Sequence, residues 1–88
     1  MAMNTNIVTL SGIIVSAIVA GNTNRTYLEI TNLGSNISYL AGGSVFTSGT
    51  GFPLLAGDTL IDTFYTGSYY GVTGTSGLTP ISYIEEDN

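Results

Sequence analysis

The sequence lacks cysteine and histidine, and it carries few charges. Without cysteine the chain forms no disulfide, and without cysteine and histidine it lacks the commonest zinc ligands. Only 8% of residues are charged, against about 25% in ordinary globular domains. Arg25 is the only basic side chain, and the net charge is −5. One arginine cannot neutralise a row of phosphates, so nucleic acid and anionic membrane surfaces are excluded as partners.

The chain is short, and its length of 88 residues predicts one domain. Domains of this size gain little stability from their core alone, and they are commonly reinforced by disulfides, metals or self-association. With cysteine and histidine absent, self-association is the reinforcement that remains. A self-sufficient monomer is the alternative that the sequence leaves open.

Groups that could perform catalysis are also scarce. Serine and threonine are abundant, but no histidine or lysine is present to activate them as nucleophiles. Asp58 and Asp62 lie four residues apart and could in principle form a catalytic carboxylate pair or bind calcium. The simpler interpretation is an aspartate in a turn at Asp58 and a solvated carboxylate at Asp62. We therefore predict no enzymatic activity, no cofactor and no metal site.

Short apolar runs recur every eight to twelve residues or so, with glycine-rich and polar turns between them. In the run 25–32, Leu28 and Ile30 share one face, while Tyr27, Glu29 and Thr31 share the other. This alternation is typical of a half-buried strand. The pattern predicts an all-β fold, a small antiparallel β-sandwich or barrel-like module of about seven or eight short strands.

The expected organisation has three parts: an N-terminal arm with a first short strand over residues 1–12, a sandwich domain over residues 13–86, and a tail over residues 87–88. Residues 1–6 are polar and without pattern, which indicates a loose arm. The run 13–20 is apolar on both faces, and a second subunit could cover one of them. The predicted subunit interface consists of Ile13, Ile14, Val15, Ile18 and Val19.

Six tyrosines are present, and tyrosine is frequent at protein interfaces. Tyr69 and Tyr70 point to opposite faces of a predicted strand, so one of them is expected in the core and the other outside. The exposed ring could contact a protein or stack on a sugar. The predicted partner contacts are Met1, Asn4, Asn6, Tyr69 and Tyr70.

Several motifs occur in an order that resembles small virion proteins of tailed phages. Residues 24–45 read N-R-T-Y-L-E-I-T-N-L-G-S-N-I-S-Y-L-A-G-G-S-V, and residues 51–60 read G-F-P-L-L-A-G-D-T-L. Residues 65–71 follow the pattern Y-T-G-x-x-Y-G, and residues 81–86 read I-S-Y-I-E-E. The individual motifs consist of turn glycines and strand alternation, and their order carries the resemblance.

The resemblance implies a β-sandwich that acts as a structural protein of the virion, favouring the capsid surface. The expected role is a capsid decoration or cement protein that binds the major capsid protein, with a homotrimer as the favoured assembly. A tail, fibre-base or vertex component is an alternative in the same class. A small carbohydrate-binding module, working through exposed tyrosines, is an alternative from a different class.

Overall fold

The computed structural model describes residues 2–12, 14–43, 51–74 and 77–88, and within them the chain forms eight strands. No helix in these ranges has the length and apolarity of a membrane span. The prediction of a small antiparallel sandwich is confirmed, because the strands form two four-stranded antiparallel sheets. The strands are β1 (Ala2–Ser11), β2 (Ser16–Val19), β3 (Arg25–Asn32), β4 (Ser38–Ala41), β5 (Phe52–Leu54), β6 (Thr59–Asp62), β7 (Tyr69–Thr73) and β8 (Leu78–Asp87).

The first sheet has the strand order β1-β8-β3-β6, and the second has the order β2-β7-β4-β5. Only β4 and β5 are neighbours both in sequence and in a sheet. The fold is thus built almost entirely from pairings between distant parts of the chain, and β1 and β8, near its two ends, lie side by side.

The core lies between the two sheets, and alternating apolar residues supply it. Leu28 and Ile30 of β3 are fully buried, as their spacing predicts, while Tyr27 and Glu29 on the other face are half-buried. The remaining buried members of the cluster come from five other strands and are Leu10, Ile18, Val19, Leu40, Leu54 and Ile81. At about 25 cal/mol per Å² of buried apolar area, these side chains provide most of the driving force for folding.

Gly71 shows how closely the sheets approach. A Cβ atom at this position of β7 would lie 2.8 Å from side-chain carbons of both Ile18 and Leu10, and 3.1 Å from one of Leu40. Glycine weakens a strand unless close packing requires it. Here it lets three core side chains meet over the backbone of β7.

The N-terminal segment differs from the expected arm. Residues 2–6 form the first half of β1, which pairs with β8 in unbroken register from Ala2 opposite Asp87 to Ser11 opposite Leu78. These residues show no apolar alternation because they are exposed on both faces. Pattern-based reasoning does not detect that a segment of this kind is paired. The tail expected over residues 87–88 differs likewise, because β8 continues through Asp87.

Asn32 organises one end of the sandwich. Its side chain is fully buried and donates to the carbonyls of Asn36 and Leu54, while its carbonyl oxygen Oδ1 accepts from the N–H of Gly34. The turn before β6 closes here, with the N–H of Gly57 donating to the Asn32 carbonyl. Arg25 begins the same eight-residue strand at the other end, about 23 Å away at 3.3 Å per residue.

Candidate functional site

Arg25 is buried, with an exposed fraction of 6%. Its Nε donates to Oε2 of Glu85 at 2.8 Å, and the carboxylate of Glu85 is also only slightly exposed. Asn4 donates to the other carboxylate oxygen at 3.2 Å. A charge that is removed from water needs a partner and further hydrogen bonds, and Glu85 supplies the charge. The chain's only arginine is therefore used inside the protein and leaves no Lys or Arg side chain on the surface.

The rest of the Arg25 guanidinium binds backbone carbonyls. Its Nη1 donates to the carbonyls of Tyr65 and Gly67, at 3.3 and 2.9 Å, and its Nη2 donates to the carbonyl of Ala20 at 2.6 Å. Two of these acceptors belong to the segment 63–68 that joins β6 to β7, which we call the Phe64 loop. Because arginine presents several donors in a fixed plane, one side chain holds β3, β8 and two loops together.

Asp62 fixes the start of the Phe64 loop. Its Oδ1 accepts from the N–H groups of Phe64 and Tyr65, at 2.8 and 2.9 Å, and its Oδ2 accepts from the Tyr69 hydroxyl at 2.5 Å. Burial raises the pKa of Asp62, but hydrogen bonds from Tyr69, Tyr65 and Phe64 outweigh burial, so that this pKa lies below its ordinary value. The carboxylate is thus bonded within the loop, which differs from the solvated group expected from sequence.

Tyr65 closes the loop from the other side. Its hydroxyl donates to the carbonyl of Gly42 at 3.1 Å, and its ring meets the ring of Tyr69 edge-on, with 5.3 Å between centroids. A Cβ atom at Gly42 or Gly67 would run into the Tyr65 ring. The glycines leave the space that this ring occupies. Burial, followed by the hydrogen bond to Asp62 and its charge, raises the pKa of Tyr69 above its ordinary value.

The loop held by Asp62, Arg25 and Tyr65 exposes the side chain of Phe64 to solvent. Its side chain is 95% exposed, the largest exposed fraction among the large hydrophobic residues that the structure describes. On either side of it the loop is held by Asp62 and Arg25, and the N–H of Asn22 donates to the carbonyl of Thr66 at 2.7 Å. An aromatic side chain in a fixed backbone loses little freedom when it enters a partner's pocket.

The outer face of the first sheet, the side turned away from the core, is a second exposed apolar surface. Directly opposite residues in paired strands point to the same side, so the registers place Met3, Ile7, Ile61 and Leu78 together on this face. Each is at least 57% exposed. The charged side chains on the face are carboxylates, with Glu29 opposite Ile61 as one of them. We call this surface the outer face.

The predicted subunit-interface residues fall into different places. Ile18 and Val19 differ from the expectation, because they lie in the subunit's own core and have almost no surface left for a second subunit. Ile14 is 65% exposed and Val15 is half-buried. Ile13 lies outside the described residues. The run is apolar on both faces because one part of it enters the core while Ile14 faces solvent.

The predicted partner contacts lie in two sheets. Asn4 and Asn6 are exposed on β1, at the edge of the first sheet, and Asn4 also bonds Glu85. Tyr69 and Tyr70 belong to β7 in the second sheet, and both are half-buried instead of one being core and the other exposed. Met1 lies outside the described residues. The structure therefore does not bring the four described residues together as one site.

The alternative of a carboxylate or calcium site finds little support in the geometry. Asp58 is exposed in the turn that precedes β6, where its N–H donates to the carbonyl of Leu55, while the Asp62 carboxylate is already bonded within its loop. Across the ranges that the structure describes, no group of three or more potential metal ligands occurs.

Comparisons of the chain with protein-family models, with curated proteins and with solved structures give no significant match. The resemblance to tailed-phage virion proteins therefore rests on the sequence motifs alone.

Phe64 and the Arg25–Glu85 pair are the features that sequence reasoning missed. In the sequence, Leu60 shares its parity with Phe64 and Ile61 shares its parity with Tyr65, an alternation typical of a strand that runs through Tyr65, but β6 ends at Asp62. Aspartate favours turns because its side chain accepts from the backbone two residues on, and this signal at Asp62 could have ended the predicted strand at the right place. Nothing in the local sequence signals a pairing across 60 residues.

Proposed function

We propose that this protein is a non-enzymatic structural component of a tailed-phage particle, a capsid decoration protein that binds the major capsid protein through the Phe64 loop. The observation that carries the binding part of the proposal is the 95% exposed Phe64 in a loop fixed by Asp62 and Arg25. The virion part comes from the motif resemblance. The sandwich fold is compatible with both.

Energetic considerations favour a protein partner for this loop. Burying a phenylalanine side chain contributes about 1.5–3 kcal/mol, and the residues that dominate an interface are typically rigid aromatic side chains near its centre. Because the exposed charges of this chain are carboxylates, a partner that combines an apolar pocket with basic residues fits best. Such a partner would bind more weakly as salt concentration rises.

The placement test is the copy number of this chain in purified particles, relative to the major capsid protein, measured by quantitative mass spectrometry. A ratio near one, or a simple fraction of it, supports lattice-wide decoration. A few dozen copies or fewer support the alternative of a tail, fibre-base or vertex component. Absence from the particle would remove the virion proposal, and a positive glycan array would then favour the carbohydrate-binding module.

The contact test compares two single variants for binding to particles that lack the protein. Phe64→Ser is expected to weaken binding roughly thirtyfold, the effect of losing about 2 kcal/mol at a central aromatic contact. Leu55→Ser is the matched control, because Leu55 is 56% exposed and lies in the turn at the opposite end of the sandwich. Equal binding by the two variants would exclude Phe64 as the anchor.

A further inference from the structure

Among the strands that the structure describes, β1 leaves one long side of the first sheet without a strand partner. It is an edge strand of that sheet and pairs on one side with β8 along its ten residues. No other described strand pairs with it. At about 3.3 Å per residue this edge is about 30 Å long. Apart from the N–H of Ile7, which donates to Oδ1 of Asn6 at 2.9 Å, an edge of this length offers a row of backbone donors and acceptors to any other strand.

The three other edge strands carry features that discourage such pairing. β6 has four residues and ends in Asp62, and β5 has three residues with Pro53 in the middle. β2 has four residues, and its register shifts between Ala17 and Val19. These three edges are therefore poor templates for a strand from another molecule.

β1 has none of these features. It contains no charged residue and no proline, and its register with β8 is continuous. We propose that β1 pairs with β1 of a second copy of this chain in antiparallel fashion, about a two-fold axis. The two first sheets then form one continuous sheet across the axis. The exposed edge on a copy that best accepts β1 is another β1, because the other edges are short, kinked or charged.

The distribution of charge favours the antiparallel arrangement. Glu85, Glu86 and Asp87 lie beside the beginning of β1, whereas its end lies beside the uncharged segment from Leu78 to Pro80. Antiparallel pairing brings the acidic end of one copy to the uncharged end of the other. Parallel pairing would place Glu86 and Asp87 of both copies at the same end, about 14 Å apart across the two β1 strands, and like charges oppose association.

The pleat of β1 restricts the register. Its odd-numbered residues from Met3 to Thr9 point to the outer face, and directly opposite residues must point to the same side. The register that uses residues 2–10 of both copies is centred on Asn6. It places Thr5 opposite Ile7 of the second copy and Met3 opposite Thr9 of the second copy. Met3 and Ile7, which are 62% and 61% exposed, thereby gain cross-strand neighbours.

This pairing is isologous and closes with two copies. It therefore predicts a dimer in place of the trimer that the motif resemblance implies. The inference does not depend on the virion proposal or on Phe64, because it concerns the purified chain alone.

The experiment measures the mass of the purified protein in solution by sedimentation equilibrium over a range of concentrations. The wild-type chain is expected to form dimers. The double variant Thr5→Lys/Ile7→Lys sets lysine against lysine across the axis and is expected to raise the dissociation constant at least about tenfold. The double variant Thr5→Lys/Ile7→Glu sets opposite charges against each other and is expected to restore the dimer.

Ile61→Lys is the matched control, because Ile61 lies on β6 at the other edge of the same sheet and is similarly exposed, at 57%. It is expected to leave the dimer intact, and circular dichroism should show that all variants are folded. A wild-type chain that is monomeric throughout, or trimeric, would overturn the proposal. So would a dimer that Thr5→Lys/Ile7→Lys leaves unchanged, or one that Ile61→Lys dissociates equally, since that result indicates stacking of outer faces.

Discussion

Replacing Arg25 by methionine tests the central packing argument. The variant keeps an unbranched side chain but leaves Glu85, which has an exposed fraction of 6%, with Asn4 as its side-chain donor in the described part of the chain. It also removes the donor from the carbonyls of Ala20 and Gly67, which lie at 2.6 and 2.9 Å. Breaking one side of a buried ion pair costs about 3–5 kcal/mol.

That cost is large for this chain. A domain of 88 residues has a total stability of about 4–13 kcal/mol at 0.05–0.15 kcal/mol per residue. With a urea dependence of about 1 kcal/mol per molar, the unfolding midpoint of Arg25→Met is expected to fall by about 3 M or more. Urea titrations followed by circular dichroism measure this shift, and a variant already unfolded without urea would also agree with it.

The double variant Arg25→Met/Glu85→Gln separates the cost of leaving the Glu85 charge unpaired from the cost of losing the hydrogen bonds of Arg25. It removes both charges, so no unpaired ion remains in the interior, and replacing a buried pair as a whole is often close to neutral. We expect it to be at least about 1–2 kcal/mol more stable than Arg25→Met alone. If Arg25→Met shifts the midpoint by less than 1 M, or if the double variant is the less stable of the two, the reasoning about Arg25 is refuted.

Three further predictions use smaller changes, and Gly43→Ala is the control for the two glycine variants because a Cβ there meets nothing within 4 Å. Gly71→Ala should lower the free energy of unfolding by about 1–3 kcal/mol through overpacking of the core, and equality with the control in urea titrations would contradict this. Gly67→Ala should displace the Tyr65 ring and change the near-ultraviolet circular dichroism, whereas an unchanged spectrum would place the ring elsewhere. The pKa of Asp62 is lower in the folded protein than its ordinary value of 3.8. The ionised carboxylate therefore stabilises the fold in full at pH values above 3.8, and this stabilisation is lost as the pH falls through the lower folded-state pKa. Asp62→Asn should therefore be less stable than wild type at pH 6 and converge with it in acid, and parallel pH profiles would argue against this role.

The sequence predicted those parts of the fold in which local pattern and burial agree. β3 alternates, and Leu28 and Ile30 lie in the core as predicted. The turn at Gly57, which has a φ of +81°, also follows from its local sequence. The pairing of β1 with β8 could not be predicted in this way, because residues 2–6 are exposed on both faces and show no period. Their strand structure is imposed by a partner some 80 residues away in the chain.

The candidate site was harder to predict for a related reason. A phenylalanine in an apolar stretch is more often buried than exposed, and only the turn made by Asp62 brings Phe64 out of the strand. Arg25 could be noticed as the single cation, but its position in the interior depends on Glu85, Tyr65, Gly67 and Ala20 meeting at one point. The strand order of the fold brings these residues together, and the local sequence around each of them does not show it.

The two proposals are connected by the charge that Arg25 withdraws from the surface. With its only basic side chain bound to Glu85 in the interior, the protein presents carboxylates, hydroxyls and apolar groups. Two copies that approach through surfaces bearing carboxylates repel each other, whereas a basic partner is attracted. β1 is a long exposed element free of charge, so self-association is favoured there, while the Phe64 loop at the end of the sandwich stays available. A dimer joined through β1 would thus carry two Phe64 loops, and because antiparallel pairing turns the copies end for end, the two loops would lie at opposite ends of the dimer, each free to bind its own partner.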